Sequence, residues 1–443
     1  MTYLPNAAAE RAEMLKALEL QSLDDLFRHL PETLRLDRIE LPEPLSEVEL
    51  VQYMRELGRL NVRTPPSHSF LGAGASRRFS PAIVNQVISR PDFYTTYTPY
   101  QAEASQGTLQ ATYEFQTMIS LLTGLDVANA SLYDGATALA EATAMAVAHT
   151  NRQNVVVAGA LHPEYAQVLK TYSEAQHYEI LRVAPAADGR VDRQKLEEAI
   201  TGTTGAVILQ QPNFYGVLED PQPISDLAHR SGALLIACVD PISLGILAAP
   251  GDYGADLAVG DGQPLGIPLS FGGPYVGFIA CTEALMRRMP GRLVGATVDA
   301  QGRRGYVLTL QAREQHIRRE HATSNITTNH ALMALVATVY LAHMGGAGLK
   351  QLAELSAQRA HHLAARIVER LGYRLAFDGP FLWEFVIRTP HPAEQTQALM
   401  LERGVLPGLP LGRFFPELAD ALLVSVTELN HPRAIDQFVE ALA

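Results

Sequence analysis

Lysine is the scarcest charged residue in this chain of 443 residues. It occurs four times, at Lys16, Lys170, Lys195 and Lys350. None of them follows a glycine, so the Gly-Lys-Ser/Thr element of a phosphate-binding loop is absent. The formal net charge is −12 and the isoelectric point about 5.6. Sequence-independent nucleic-acid binders draw their affinity from phosphate neutralisation by lysine and arginine, so we expect no nucleic-acid partner.

Cysteine is almost absent as well. Cys238 and Cys281 both lie in apolar runs, which predicts buried thiols rather than a disulfide or metal ligands. The chain has no Cys-x-x-Cys, no His-Glu-x-x-His and no Gly-x-Ser-x-Gly motif. His361 and His362 are adjacent on a predicted helix and would point about 100° apart. We therefore predict that the protein has no metal site.

Long hydrophobic runs are also missing. No segment approaches 18 uninterrupted apolar residues, and no basic leader followed by an apolar stretch opens the chain. Few cysteines fit a reducing compartment. The sequence predicts a cytoplasmic, unprocessed protein without a membrane span.

The composition is that of a multidomain globular protein, with 47% hydrophobic and 19% charged residues. Residues 1–65 show helical spacing and proline-rich breaks, which predict an N-terminal helical arm. Residues 66–330 are predicted to form a large α/β domain. Residues 331–443 begin with an apolar stretch typical of a buried helix and are predicted to form a smaller C-terminal α+β domain.

Strand and helix patterns alternate from Asn154 onward. Such alternation implies right-handed crossovers and a mostly parallel sheet with helices on both faces. The predicted strands are 155–157, 178–183, 206–209, 233–239, 255–259, 275–281, 381–387 and 422–426. The predicted helices are 7–18, 138–149, 164–174, 192–200, 223–231 and 331–343.

The lack of lysine is most informative where two of these strands end. Asp240 follows the apolar strand 233–239, and the strand 255–259 leads into Gly-Asp-Gly-Gln263. In enzymes that use pyridoxal phosphate (PLP), a strand-end aspartate pairs with the pyridine nitrogen, and a lysine one strand further on holds the cofactor as a Schiff base. The aspartate is present here and the lysine is not. This combination indicates a PLP-enzyme domain that lacks its cofactor, and hence a partner subunit rather than a self-sufficient catalyst.

Two further segments resemble phosphate sites to different degrees. Asp134, Gly135 and Thr137 precede a predicted helix, whose free backbone N–H groups and dipole could bind the cofactor phosphate. The alternative is that Asp134 merely caps the helix. Gly72-Ala-Gly-Ala-Ser76 follows no apolar strand, and we predict a flexible turn there.

A tyrosine-rich segment collects an unusual number of hydrogen-bonding side chains. A core segment would not do so, because each buried donor requires a partner. We predict a site or interface loop, with a solvated loop as the alternative. The candidate residues are Tyr94, Thr95, Thr96, Tyr97, Tyr100, Gln101, Glu103 and Gln106.

Several long motifs, in matching order, closely resemble the glycine cleavage system P-protein family. They are Tyr97-Thr-Pro-Tyr-Gln101 with Gln106-Gly107, Phe115-Gln116 with Leu122-Thr-Gly-Leu125, Ala128-Asn-Ala-Ser131, Gly272-Gly-Pro274, Gly291-Arg-Leu-Val-Gly295, and Arg313-Glu-Gln-His-Ile-Arg-Arg319 with Ala322-Thr-Ser-Asn-Ile326. The resemblance covers essentially the whole chain, including the Tyr3-Leu-Pro-Asn6 opening.

The resemblance implies a PLP-dependent transferase fold of type I and a heterotetramer of two cofactor-less and two PLP-bearing subunits. The family decarboxylates glycine on PLP and passes the aminomethyl group to the lipoyl arm of H-protein. In the PLP-bearing paralogue the Schiff-base lysine lies five residues before an Ile-Pro proline; counting back from Pro268 gives Gln263. The resemblance thus implies that this chain binds no PLP, that Asp240 is vestigial, and that the tyrosine-rich loop reaches the partner's cofactor.

Two other functions remain open at this point. One is an autonomous PLP enzyme that uses Lys170, Lys195 or Lys350. The other is a non-catalytic scaffold or nucleotide-binding module of the same α/β class.

Positive charge is concentrated against the overall sign between Arg287 and Arg319. Eight arginines occur there (287, 288, 292, 303, 304, 313, 318 and 319) against two acids, Asp299 and Glu314. H-proteins of the family are acidic, so we hypothesise that Arg303 and Arg304 steer H-protein toward the active site. Salt bridges to the partner subunit are the alternative.

Overall fold

The computed structural model describes residues 7–36, 39–61 and 64–443. The Tyr3–Asn6 motif lies outside the described residues. The chain divides into two compact units, residues 1–63 and residues 64–443. The predicted domain boundaries at 65 and 330 stay a prediction.

The first unit contains two helices, α1 (Ala8–Ala17) and α2 (Glu47–Arg59), and neither has a buried residue. Helix α2 begins with a reciprocal cap. The Ser46 hydroxyl accepts from the Glu49 amide, and the Glu49 carboxylate accepts from the Ser46 amide at 2.8 Å, which satisfies two backbone donors at the helix start. The helix predicted over 7–18 is confirmed by α1.

The second unit carries the remaining elements. Its helices are α3 (Ala82–Ile88), α4 (Pro91–Tyr94), α5 (Gln106–Thr123), α6 (Gly135–Thr150), α7 (Pro163–Gln176), α8 (Arg193–Ala199), α9 (Pro221–Arg230), α10 (Gln315–Arg318), α11 (Ala331–Leu371), α12 (Ala393–Glu402) and α13 (Pro432–Leu442). Its strands are β1 (Val127–Ala128), β2 (Asn154–Ala158), β3 (Glu179–Val183), β4 (Thr204–Gln211), β5 (Leu234–Val239), β6 (Leu257–Asp261), β7 (Gly277–Cys281), β8 (Leu293–Val298), β9 (Arg304–Thr309), β10 (Arg374–Leu375), β11 (Glu384–Arg388), β12 (Leu409–Pro410) and β13 (Ala421–Ser425).

The main sheet has seven strands in the order β1-β7-β6-β5-β4-β2-β3. Strands β2 to β6 pair in parallel, and β7 runs antiparallel to both of its neighbours, β6 and β1. Alternate residues of one strand enter opposite cores: Val156 packs in one buried cluster and Val155 in the other. Successive side chains of a strand point to opposite faces of the sheet. Both sets are buried here, so both faces of the sheet are covered by helices. The predicted α/β class with a mostly parallel sheet is confirmed.

A second sheet, β10-β11-β13-β12, is entirely antiparallel. Helix α11 precedes it, and Gly345 interrupts its helical backbone with φ 58°. By length and mean hydropathy, 1.6, α11 could span a membrane. Buried core helices of soluble proteins have the same composition, and Ala337 and Tyr340 are fully buried, so this is weak evidence for a membrane span.

Phe70, near the start of the second unit, lies beside the second sheet. The Phe70 amide donates to the Leu406 carbonyl at 2.8 Å, and the Phe70 carbonyl accepts from the Ser425 amide at 2.9 Å. Residues 72–79 then pass between the second sheet and the main sheet, and the candidate site forms there.

Candidate functional site

A cavity of about 80 Å³ lies where β4, β5 and β6 end. Asp240 follows β5, Asp261 ends β6, and Glu384 begins β11 of the second sheet; all three line the cavity. In open parallel sheets the crevice beyond the carboxyl ends of the strands is the usual ligand position. The position that the sequence indicated is therefore a real cavity, although a small one.

Asp240 sits in a polar environment at the edge of this cavity. Its carboxylate accepts from the Ile242 amide at 2.8 Å and from the Trp383 side chain. Burial raises the pKa of Asp240, while the positive charge of Arg78 and these hydrogen bonds act to lower that pKa. The aspartate that would face a pyridine nitrogen is thus supplied with donors by the chain itself.

Arg78 is the cation of this region, and sequence analysis missed it. Its side chain is 2% exposed, pairs with Glu428 at 2.9 Å, and lies 5.0 Å from the centre of the Trp383 ring. Only its position just after the glycine-rich segment could have drawn attention to it. Its positive charge acts on Asp240 and favours the ionised carboxylate there.

Gln263 is buried, with 1% of its surface exposed. Its Oε1 accepts from the Ser76 amide at 3.0 Å, and its Nε2 donates to the carbonyls of Ser76 at 3.0 Å and Ile267 at 2.8 Å. Gln263 does not line the cavity, whereas Gly74, Ala75 and Ser76 do. Backbone from the glycine-rich segment therefore lies between Gln263 and the cavity.

The same segment is held at a second point along its length. The Ala73 amide donates to Glu384 Oε1 at 2.8 Å, and the Ala73 carbonyl accepts from His162 Nε2 at 2.9 Å. His162 Nδ1 accepts from the Glu164 amide at 3.2 Å, which assigns the proton to Nε2. Burial lowers the pKa of His162, in keeping with a neutral ring. The predicted turn is present, and its backbone is bonded to three side chains.

The helix N-terminus predicted as a phosphate site is filled by the chain's own carboxylates. Asp134 Oδ1 accepts from the Thr137 amide at 2.7 Å, and Asp261 Oδ2 accepts from the Gly135 amide at 3.0 Å. Burial, together with the nearby Asp134 charge, raises the pKa of Asp261 to about 7. These contacts favour the capping interpretation, because two carboxylates already use the amides that a phosphate would need.

The tyrosine-rich loop borders a different, larger cavity of about 360 Å³. Tyr94, Thr96 and Tyr97 line it together with the first turn of α11, and Tyr97 is 84% exposed. The hydroxyls of Thr95 and Thr96 donate to carbonyls of α4. Among the residues that the structure describes, none lines both cavities.

The other candidates of this loop serve different purposes. The Gln106 side chain bonds both the amide and the carbonyl of Tyr306 at 2.9 Å, and so continues the edge of β9. Arg292 Nη2 donates to the Tyr100 hydroxyl at 3.5 Å, with the guanidinium 5.6 Å from the ring centre. Gln101 and Glu103 are exposed. The eight candidates therefore do not converge on one point.

The arginine-rich segment folds partly into a hairpin of β8 and β9 that sequence analysis did not predict. Arg303 lies in its turn and pairs with Asp299 at 2.7 Å, with the arginine side chain 77% exposed. Arg304 is also exposed, and no ion pair in the described part of the chain involves it. Arg292 and Arg313, by contrast, are buried, so only part of the segment's charge faces solvent.

The lysines of the second unit are all exposed. Lys170, Lys195 and Lys350 pair with carboxylates on their own helices or helix caps, and none lines either cavity. Both cysteines are free and buried, as predicted. Among residues 7–36, 39–61 and 64–443, no group of side chains could hold a metal ion.

Solved structures with the same fold are PLP-dependent enzymes. The sphingosine-1-phosphate lyase of Burkholderia pseudomallei matches 93% of this chain and 92% of its own at a TM-score of 0.67 and 15% identity. Glutamate decarboxylase of Lactobacillus brevis matches 93% and 95% at 0.68 and 13% identity. At these identities the likeness shows the fold alone, and the fold is that of the PLP-dependent enzymes.

Comparisons at higher sequence identity show the family to which the chain belongs, which is a narrower group than the fold. The model of the glycine cleavage system P-protein matches residues 1–442. An inhibitor-bound crystal structure of glycine decarboxylase, the P-protein of that system, is 44% identical at a TM-score of 0.90, with 100% of this chain and 99% of that one covered. Relatives in Carboxydothermus hydrogenoformans and Moorella thermoacetica, named probable glycine dehydrogenase (decarboxylating) subunit 1, are 52% and 51% identical over 443 residues, each match covering 100% of this chain and 99% of the relative. The chain belongs to the glycine cleavage system P-protein family.

The raised pKa of Asp261 predicts a specific dependence of stability on pH. Between about pH 4 and pH 7 the folded protein keeps this proton while the unfolded chain has lost it, so the free energy of unfolding falls as pH rises. One such proton contributes a slope of about 1.4 kcal/mol per pH unit at most. Asp261→Asn should remove this part of the slope in urea unfolding experiments across that range.

Two comparison variants make the result interpretable. Glu141→Gln should remove a similar part, since burial also raises the pKa of Glu141 to about 7. Asp226→Asn, the same substitution at an exposed position of α9, is the matched control. An unaltered slope in Asp261→Asn would show that the carboxyl is ionised throughout.

Proposed function

We propose that this chain is the cofactor-less subunit of a two-subunit, decarboxylating glycine dehydrogenase, and that the partner subunit holds PLP. The observation that carries the proposal is the bonding of Gln263, the residue that the family resemblance aligns with the Schiff-base lysine: its side-chain amide bonds the backbone of Ser76 and Ile267. A neutral amide forms no imine with an aldehyde.

The surroundings support the same conclusion, because the residues present do not fit PLP. The cavity of about 80 Å³ is smaller than the roughly 300 to 1,000 Å³ usual for ligand pockets. The amides at the start of α6 are taken by Asp134 and Asp261. Arg78 already supplies positive charge near Asp240. The exposed lysines elsewhere lie outside both cavities and argue against an autonomous PLP enzyme.

In this proposal the partner subunit decarboxylates glycine and passes the aminomethyl group to the lipoyl arm of H-protein. This chain completes the assembly, helps to exclude water from the partner's active site and contributes interface donors. Tyr94 and Tyr97 are the donors best placed for that role, because both are exposed and line an open cavity, whereas the Thr96 hydroxyl already donates to the Asp92 carbonyl. We propose an α2β2 assembly in the cytoplasm, and two reduced cysteines fit such a compartment.

Reconstitution tests the proposal directly. Exchange of the glycine carboxyl group with bicarbonate should require both this chain and the PLP-bearing subunit. The isolated chain with added PLP should show no absorption band near 420 nm, and borohydride should leave no phosphopyridoxyl group on any of its lysines.

The PLP-bearing subunit, treated in the same way, is the positive control. Stoichiometric labelling of Lys170, Lys195 or Lys350 would refute the cofactor-less role. Full exchange activity from either subunit alone would refute the division of labour between subunits.

The exposed Tyr97 hydroxyl provides a second prediction. Tyr97→Phe or Gln101→Ala in the assembled complex should lower turnover tenfold or more while assembly persists. One positioned donor that faces developing charge contributes about 2.7–4 kcal/mol, and each 1.36 kcal/mol is tenfold in rate. Tyr53→Phe, which removes an exposed hydroxyl from α2, is the matched control. Wild-type rates in both loop variants would reduce this loop to interface packing.

The hairpin provides a third prediction, about H-protein. Arg303 is partly neutralised by Asp299, whereas Arg304 is not, so Arg304→Ala should raise the KM for H-protein more than Arg303→Ala does. The double variant should flatten the salt dependence of that KM, since charges are screened beyond about 10 Å at 0.1 M salt. The KM for glycine should not change. Dissociation from the partner subunit in the double variant would show that the arginines are structural instead.

A further inference from the structure

We propose that residues 72–76, which we call the plug loop, permanently fill the cofactor position and join the two sheets there, with Gln263 as the anchor. The proposal rests on the cofactor-less role proposed above. It adds that the missing lysine is only one part of the change: the space is used by the chain itself.

The contacts of the plug loop come from both sides of the gap between the sheets. Gln263, two residues beyond β6, bonds the amide and the carbonyl of Ser76. His162, at the start of α7, bonds the Ala73 carbonyl. Glu384, the first residue of β11, bonds the Ala73 amide. The main sheet and the second sheet therefore hold the same short stretch of backbone.

The glycines show how closely this backbone fits. A Cβ at Gly74 would lie 2.8 Å from His162 Nε2, and one at Gly72 would overlap Glu384 Oε1. Gly74 also has φ 96°, which side chains disfavour. The loop passes between these side chains only because it has no side chains of its own at two positions.

The chain continues from the plug loop into Arg78, which completes the replacement. Arg78 donates to Ser356 of α11 and pairs with Glu428, and its charge acts on Asp240. A bound cofactor would bring to such a site a ring, a positive charge and contacts to both lobes. Here the plug loop fills the space and Arg78 supplies the charge.

The plug loop affects both the stability of the folded chain and the result expected when a lysine is restored at position 263. A ligand that binds only the folded state stabilises that state. In this chain, the plug loop makes such contacts itself, through hydrogen bonds and without a ligand. Restoring a lysine at position 263 should therefore not restore cofactor binding, because the backbone of Gly74–Ser76 still separates that position from the cavity.

The experiment uses the assembled two-subunit complex. Gln263→Met removes all three hydrogen bonds of the anchor with little change in volume. We expect hydrogen exchange at the amides of Ser76 and Ala73 to accelerate tenfold or more, with exchange in β2 and β4 unchanged. Gln263→Glu, which keeps the acceptor and loses both donors, should give a smaller acceleration and serves if the methionine variant does not assemble.

A glycine pair provides the matched control for the fit of the loop. Gly74→Ala and Gly404→Ala both place a side chain at positive φ, but only the first meets neighbouring atoms. Gly74→Ala should accelerate exchange in the plug loop and lower the melting temperature more than Gly404→Ala does. Equal effects would contradict the close fit.

The Gln263→Lys variant tests whether a lysine at position 263 restores cofactor binding. Treated with PLP and borohydride in the complex, it should carry no phosphopyridoxyl group on the introduced lysine, because Glu384 and His162 still hold the Ala73 backbone. An adduct there, or unchanged loop exchange in both Gln263→Met and Gln263→Glu, would overturn the plug. PLP bound by the wild-type chain would instead refute the proposed function, whereas a PLP-free wild-type chain with an unanchored loop would refute the plug alone.

Discussion

The pairing of one buried side-chain amide with one backbone unit, Gln263 with Ser76, is the constraint on which the site depends. A buried amide costs free energy unless its donors and acceptor are bonded. Gln263 makes three hydrogen bonds in a position with 1% exposure. A methyl-terminated side chain would leave the Ser76 amide and carbonyl unpaired. The glutamine therefore fixes where the glycine-rich backbone lies, and that backbone fixes how small the cavity is.

The carboxylates around the cavity are tolerated because the chain supplies donors for them. Asp240, Asp261 and Glu384 each accept from at least one backbone amide, and burial raises the pKa of all three. Arg78 is the nearby cation, and its own position is fixed by Glu428. Removing a single partner from such a network leaves an uncompensated group, which costs more than the pair contributes. The polar groups around the cavity thus stabilise the folded chain only when all of them are present.

Much of the fold follows from local pattern, and much of the site does not. Short apolar runs separated by helical spacing gave the parallel strands and the positions of Asp240 and Gln263 at their ends, because periodicity and strand ends are local properties. The plug loop depends on bonds between residues 187 and 311 positions apart, and Gln106 meets Tyr306 across 200. A glycine-rich turn carries no local sign of such partners. The same holds for Arg292 and Arg313, whose burial no local pattern of the sequence indicated.

The two cavities place different physical constraints on the residues that line them. The small cavity is walled by bonded backbone, so the residues of that wall are constrained by fit, as Gly72 and Gly74 show. The larger cavity is bordered by exposed tyrosines whose hydroxyls are available to another molecule. Because the cavities share no lining residue, substitutions in one should act almost independently of substitutions in the other. In the role proposed for it, the chain would in this way combine a tightly bonded interior with an open cavity that its partner subunit could use.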